Sequence, residues 1–258
     1  MDDLFREARL KIERAKKHVN DLSQLSGEFL RTKAHVVFVE HDDNATGDLL
    51  KVKATATLGA DFVLVLGDAL HNLRTALDYA INEIEFRTVG NRTAYTKFPV
   101  YESRDSLLAA INGGLKEKLP RQVIDCLVDV IQPYRGGRGD AIWGLHQLDI
   151  EDKHRLLIAN TELNFIRGIR IEDDAGTEHL VDDWLVVPGK VAAYPVKGNR
   201  NVKVKYEGNP TYVIAFGQDL PFAGRHIIPI VHGLVEMTES VLNEIRHSYT
   251  LSTIHSLG

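Results

Sequence analysis

Between residues 2 and 31 the apolar positions Leu4, Phe5, Ala8, Ile12, Ala15, Val19, Leu22, Leu25, Phe29 and Leu30 recur at helical spacing among charges. That pattern predicts one long helix with a single buried face. Two short apolar runs follow, 35–40 and 50–55, around a loop containing Asp42, Asp43, Asn44 and Gly47. They read as a hairpin. A second helix is expected over 61–86, with Asp61 as a candidate cap, then a polar loop and the segment Phe98-Pro99-Val100. Shorter helices are expected near 103–111 and 119–131, the latter opening at Pro120, a favoured first-turn residue. Behind a loop marked by Gly136, Gly137 and Gly139, Asp140 is placed to cap a helix reaching to about Asn160.

Beyond Asn160 the period changes to two. Runs 164–171, 179–181, 184–187, 202–206 and 212–216 read as strands. The turns between them are Asp173-Asp174-Ala175-Gly176, Pro188-Gly189, Gly198-Asn199 and Gly208-Asn209-Pro210. A last helix fills about 225–249. Helices grouped before strands imply an α+β fold, not an alternating parallel sheet. The expected architecture has a helical core with long N-terminal and C-terminal helices. A mainly antiparallel sheet is drawn from the early hairpin and the C-terminal half. The hairpin joining the later strands would make residues 1–258 a single domain. The alternative is a mainly helical part, 1–160, followed by a sheet with the C-terminal helix, 161–258.

Composition narrows the classes. With 44% apolar and 26% charged residues the chain is neither disordered nor fibrous. A net charge of −5 gives no general pull towards nucleic acid or an anionic membrane. The most apolar helical run, Phe62 to Leu73, is broken by Asp68, His71 and Asn72, so no membrane partner is expected. The start, Met1-Asp2-Asp3-Leu4-Phe5-Arg6-Glu7, lacks the basic and apolar stretches of a signal peptide. Cys126 is the only cysteine, which excludes an internal disulfide and a zinc site of several thiolates. It lies in an amphipathic run and reads as a core residue. The expected location is the reducing cytoplasm.

Two helices carry polar residues where core is expected. On 141–158, a stripe of Gly144, Gln147, Glu151 and Arg155 reads as solvent-facing. Ile142, Leu145, Leu148, Leu156 and Leu157 form an apolar surround. Set within that surround are His146, Asp149 and Lys153, at i, i+3 and i+7, with Asp152 at the border and His154 projecting elsewhere. An unpaired charge among leucines costs several kcal/mol, so these groups should pair. Asp149 and Lys153 stand in the favoured order for a pair four apart. On 61–86 the core face is Phe62, Leu66, Ala69, Leu70, Leu73, Ala76, Leu77 and Ala80. Its other side carries Asp68, His71, Arg74, Thr75, Asp78 and Asn82, with Asn72 beside them. If the two polar faces meet, one pocket gathers two imidazoles, several carboxylates, Arg74 and Lys153.

The ordered set His71-Asn72-Leu73-Arg74-Thr75-Ala76-Leu77-Asp78, Phe98-Pro99-Val100, Ile131-Gln132-Pro133-Tyr134, Leu145-His146-Gln147-Leu148 and Asp152-Lys153-His154-Arg155 resembles a family of uncharacterised bacterial proteins. The resemblance covers roughly residues 60–158, and Asp152-Lys153-His154-Arg155 is its most specific part. It implies a bacterial or phage-related origin and brings no activity, cofactor or mechanism.

Three readings compete. In a hydrolytic or phosphoryl-transfer site, His71 or His146 is the base, Asp78 or Asp149 orients it, and Arg74 and Lys153 hold an anion. A small anionic, nucleotide-like or phosphodiester molecule fits that set, with Asn72, Asp152 and His154 as additional candidates. In a metal site, Glu151-x-x-His154 has the spacing found in di-iron bundles, which take two such pairs, and no second pair is expected here. Glu151 falls on the solvent stripe, however; mixed ligation by His71, Asp78 and His146 or Asp149 stays open, though Arg74 and Lys153 would oppose a cation, and no metal is assigned. In the structural reading, the polar network fixes how helices meet, and the chain is a scaffold that could form a homodimer through its first or last helix. The glycine loop before Asp140 could cradle an anion, though it lacks the lysine and spacing of a P-loop. No cofactor is named by the sequence, and enzyme and non-enzyme stay open.

Overall fold

Helical periodicity is realised in six α-helices among the described residues: α1 (Arg6–Arg31), α2 (Ala60–Val89), α3 (Arg104–Asn112), α4 (Arg121–Asp125), α5 (Asp140–His154) and α6 (Ile227–His255). Seven strands accompany them: β1 (His35–Glu40), β2 (Leu49–Ala54), β3 (Ala159–Glu172), β4 (Glu178–Leu185), β5 (Ala193–Pro195), β6 (Lys203–Tyr206) and β7 (Asn209–Phe216). The chain is therefore α+β, with antiparallel sheets. The structure is a computed structural model and describes residues 4–32, 34–41, 47–90, 96–157, 159–186, 193–196 and 201–255. The expected turns at Asp42–Asn44, Pro188–Gly189 and Gly198–Asn199 lie outside these residues. No described helix is long and apolar enough to cross a membrane.

The chain divides into two compact units. The first comprises Met1–Ser23, Asp61–Ile158 and Phe216–Gly258. Its centre is α2, whose face Phe62, Leu66, Ala69, Leu70, Leu73, Ala76, Leu77 and Ala80 is buried throughout. Leu66, Leu70, Leu73 and Leu77 are each fully buried, which stabilises the fold by ~1.5–3 kcal/mol per side chain. In α6, Ile227, Val231, Leu234, Thr238, Val241, Leu242 and Ile245 form the buried stripe, and the helix packs on α4 and α5. The run expected as one helix over 119–131 changes character. α4 gives way to a π-helical turn at Cys126–Ile131, closed by Gln132 in the left-handed region with its N–H on Leu127 O, 2.9 Å.

The second unit comprises Gln24–Ala60 and Ala159–Ala215. β1 and β2 pair as an antiparallel hairpin, and β2 continues to β5, a strand absent from the sequence-based reading. A second sheet runs β4-β3-β6, with β7 also paired to β3. The early hairpin thus joins a later strand, while the runs 179–181 and 184–187 are one strand, β4. Val37, Leu50, Ile166, Ile169, Ile171, Val181, Trp184, Val186, Val196 and Val202 make this unit's core.

Details of α5 and its flanks differ from expectation. α5 stops at His154, where Arg155 turns to extended backbone, and β3 begins at Ala159. Leu156 is consequently exposed at 53%, outside any apolar helix face. Asp140 is the first residue of α5 and not its cap, which is Gly139. Gly144, placed on the solvent stripe by helical spacing, is buried because the Phe222 ring lies over it.

Candidate functional site

Every member of the candidate set lies in the first unit, on α2 or α5. The two helices meet at close range where Gly67 faces Asp152. A methyl group at Gly67 would collide with the Asp152 carboxylate, so glycine permits this approach.

Asp149 is the pivot. Its carboxylate is 3% exposed and uses both oxygens: Oδ1 lies 2.8 Å from His71 Nδ1, and Oδ2 accepts from Lys153 Nζ at 2.5 Å. The two partners, the His71 ring and the Lys153 ammonium, are about half exposed, at 51% and 52%. A carboxylate accepts and does not donate, so His71 carries a proton on Nδ1. Its other nitrogen, Nε2, stands 3.4 Å from the Thr75 hydroxyl, one helical turn along α2. Asp152, on the same helix as Asp149, has its carboxyl pushed up from the usual range. Burial is the first cause, followed by the carboxylates of Asp149 and Asp68, while His71 and Lys153 oppose the shift.

Arg74 and Asp78 form a separate, inward-facing clasp. Arg74 is 4% exposed and bonded through all three nitrogens. Nη1 donates to Asp78 Oδ1 at 2.5 Å, Nη2 to Phe98 O at 3.0 Å, and Nε to His146 Nδ1 at 3.2 Å. Asp78 Oδ1 also accepts from Phe98 N at 2.7 Å. Together the pair satisfies both backbone groups of Phe98, whose ring is buried. This explains why an arginine and an aspartate four apart accompany a Phe-Pro segment twenty residues on. The segment continues to Tyr101, which bridges to Tyr134 through Tyr101 N to Pro133 O. Arg74 is therefore a buried positioning group, with each of its three nitrogens donating to a neighbour within the protein.

His146 is half-buried on α5, and its pKa is lowered to about 4 by burial and then by the Arg74 guanidinium; Asp149 and Asp78 oppose this. So low a pKa makes the imidazole a weak base, neutral near pH 7. Asn72 is buried, donating to Asp68 O at 2.7 Å and accepting from Lys11 Nζ at 3.3 Å. His154 is exposed at the end of α5. The structure thus brings His71, Asp149 and Lys153 into direct contact, links His146 to Arg74 and Asp78, and leaves His154 apart. Thr75 belongs to the polar side of α2 that the sequence marks out but is not among the candidate site residues, although a hydroxyl four residues after a candidate histidine is a legible signal; Gly67 carries no such mark.

The other features resolve simply. The amides of the glycine loop are consumed internally: Gly136 N on Asp140 Oδ1, Gly137 N on Tyr134 O, Arg138 N on Gln132 Oε1 and Gly139 N on Gln132 O. An anion cradle there is closed. Burial pushes the Cys126 thiol up, opposed by a hydrogen bond with Ser248, as suits a core residue. A second Glu-x-x-His pair does occur, Glu244 and His247 on α6, and both residues are exposed. Among the described residues, no three histidine, cysteine, aspartate or glutamate side chains stand where they could hold one metal ion.

No family model, curated protein or solved structure matches the chain.

Proposed function

We propose that the meeting faces of α2 and α5 bind a small phosphate-bearing anion and transfer a proton on it. Lys153 supplies charge, and His71 is the proton-transfer group. The observation that supports this reading is the placement of Asp149, buried while both of its partners, the His71 ring and the Lys153 ammonium, reach outward. A carboxylate retained only to lock helices would gain most from cations buried with it, since a half-exposed ion pair contributes little, about 0–1 kcal/mol. Burying the anion costs desolvation and leaves the Lys153 ammonium and the His71 ring at an accessible edge. In the neutral imidazole, Asp149 fixes the tautomer with Nε2 as the acceptor, the orientation a general base requires.

The matching reaction is hydrolysis of a phosphodiester or nucleotide-like ester. His71 Nε2 takes a proton from water as its oxygen bonds to phosphorus. The bond to the leaving oxygen breaks, and that oxygen takes the proton. Lys153 offsets charge on the phosphoryl oxygens. The single, buried Cys126 fits a reducing cytoplasmic setting.

One observation favours a purely structural reading: Arg74, Asp78 and Asn72 are spent on internal bonds. Hydrolysis of bis(4-nitrophenyl) phosphate and 4-nitrophenyl phosphate separates the two. The catalytic reading expects His71→Gln to lower kcat by about 10²–10⁴-fold, with Lys153→Met acting mainly on KM. No turnover of either ester by the wild-type chain, or turnover indifferent to His71, favours the structural network.

A further inference from the structure

We propose that His146 is a fixed, neutral hydrogen-bond donor of this site, presenting Nε2–H to an anionic oxygen of the bound phosphate group. The inference rests on the function proposed above and assigns opposite roles to the site's two imidazoles. It follows from the direction of one hydrogen bond. Arg74 Nε lies 3.2 Å from His146 Nδ1, and a guanidinium has donors and no acceptor. Nδ1 must therefore hold a lone pair, which places the proton of the neutral ring on Nε2.

Arg74 is poorly placed to swing away and relax this constraint. Its Nη1 is held by Asp78 and its Nη2 by Phe98 O, while Asp78 is itself held by Phe98 N. Protonating His146 would set an N–H against an N–H in a half-buried place. The charged groups that act on the ring are Arg74 and Asp78 from α2, and Asp149 and Lys153 from α5. Asp149 is already committed to His71 and Lys153. Among the described residues Nε2 of His146 has no hydrogen-bond partner, while Nδ1 is taken by Arg74.

His146, Asp149 and Lys153 lie at i, i+3 and i+7 on α5, so the donor shares a helix face with the lysine. A neutral imidazole donor stabilises developing negative charge without exchanging its proton, a role an ordinary histidine fills poorly near neutrality. Arg74 acts through His146 and is its positioning residue.

The test uses the full chain labelled with ¹⁵N-histidine, long-range proton–nitrogen spectra, and inorganic phosphate as the probe, with the His146 signals assigned from their loss in His146→Gln. The expected wild-type result is an Nε2-protonated tautomer that persists from pH 8 to about 5, with phosphate shifting the signals of both His146 and His71. A proton on Nδ1, or titration of His146 near the ordinary histidine value, overturns the inference. Phosphate moving His71 but not His146 also overturns it and leaves the proposed function standing. Phosphate moving neither ring removes both. In a binding assay His146→Phe should weaken phosphate by about tenfold, with part of the loss recovered in His146→Gln through its amide donor. Equal affinity for all three forms counts against the inference, and the wild-type spectrum decides the case if His146→Phe does not fold.

Discussion

His71 Nδ1 and Asp149 Oδ1 lie 2.8 Å apart across the α2–α5 contact, joining a half-exposed imidazole to a carboxylate that is 3% exposed. One member of this pair is built into the protein, and the other is presented to solvent. Lys153 stands in the same relation to the second carboxylate oxygen, and the consequences differ for each partner.

Changing the buried partner should cost more than removing either exposed one. Asp149→Asn keeps the shape but turns an acceptor-only group into one with a donor facing His71 or Lys153. A buried polar group left unsatisfied costs about 1–3 kcal/mol, which at ~2–4 °C per kcal/mol lowers Tm by several degrees. Lys153→Met leaves Asp149 bonded to His71 and should cost about 1 kcal/mol or less. Thermal melts of the two variants check the order. A larger loss for Lys153→Met would make the lysine a structural partner.

Arg74 and Asp78 should behave as one unit. Each satisfies a backbone group of Phe98 and the other's side chain. Arg74→Met and Asp78→Leu are each expected to destabilise strongly. The double variant should lose less than the sum, with a coupling of about 0.5–3 kcal/mol. Urea unfolding of the four proteins measures it, and simple additivity would contradict the clasp.

The pH dependence of stability carries the signature of His146. Its folded-state pKa is lowered to about 4, below the ordinary value near 6.5. Between those values the unfolded chain binds more protons, so stability rises with pH. The contribution is fully present above about pH 6.5 and is lost as pH falls towards 4. Urea midpoints across this window should fall for the wild-type chain, with a flatter profile in His146→Gln. An identical profile in the variant would assign the loss to other groups.

The parts of the fold that are local in sequence were legible. The α2 core face follows from apolar spacing alone, and so does the i, i+3, i+7 set on α5, because one helix determines both. What could not be read came from remote partners. Gly144 looks solvent-facing until Phe222, far along the chain, covers it. Arg74 looks like an anion ligand because arginine usually is one when exposed. Its true partners include a backbone carbonyl, and backbone groups leave no mark in a sequence. β5 is only three residues long and is defined by pairing with β2. The π-helical turn is a choice of hydrogen-bond register that side-chain periodicity does not announce.

Calorimetric titration of phenyl phosphate into the wild-type chain and into Lys153→Met tests the central claim most directly. The account predicts one binding site in the wild type and affinity lowered by about tenfold or more in Lys153→Met, with the variant still folded. No heat of binding in the wild type, or equal affinity in the two proteins, would contradict it.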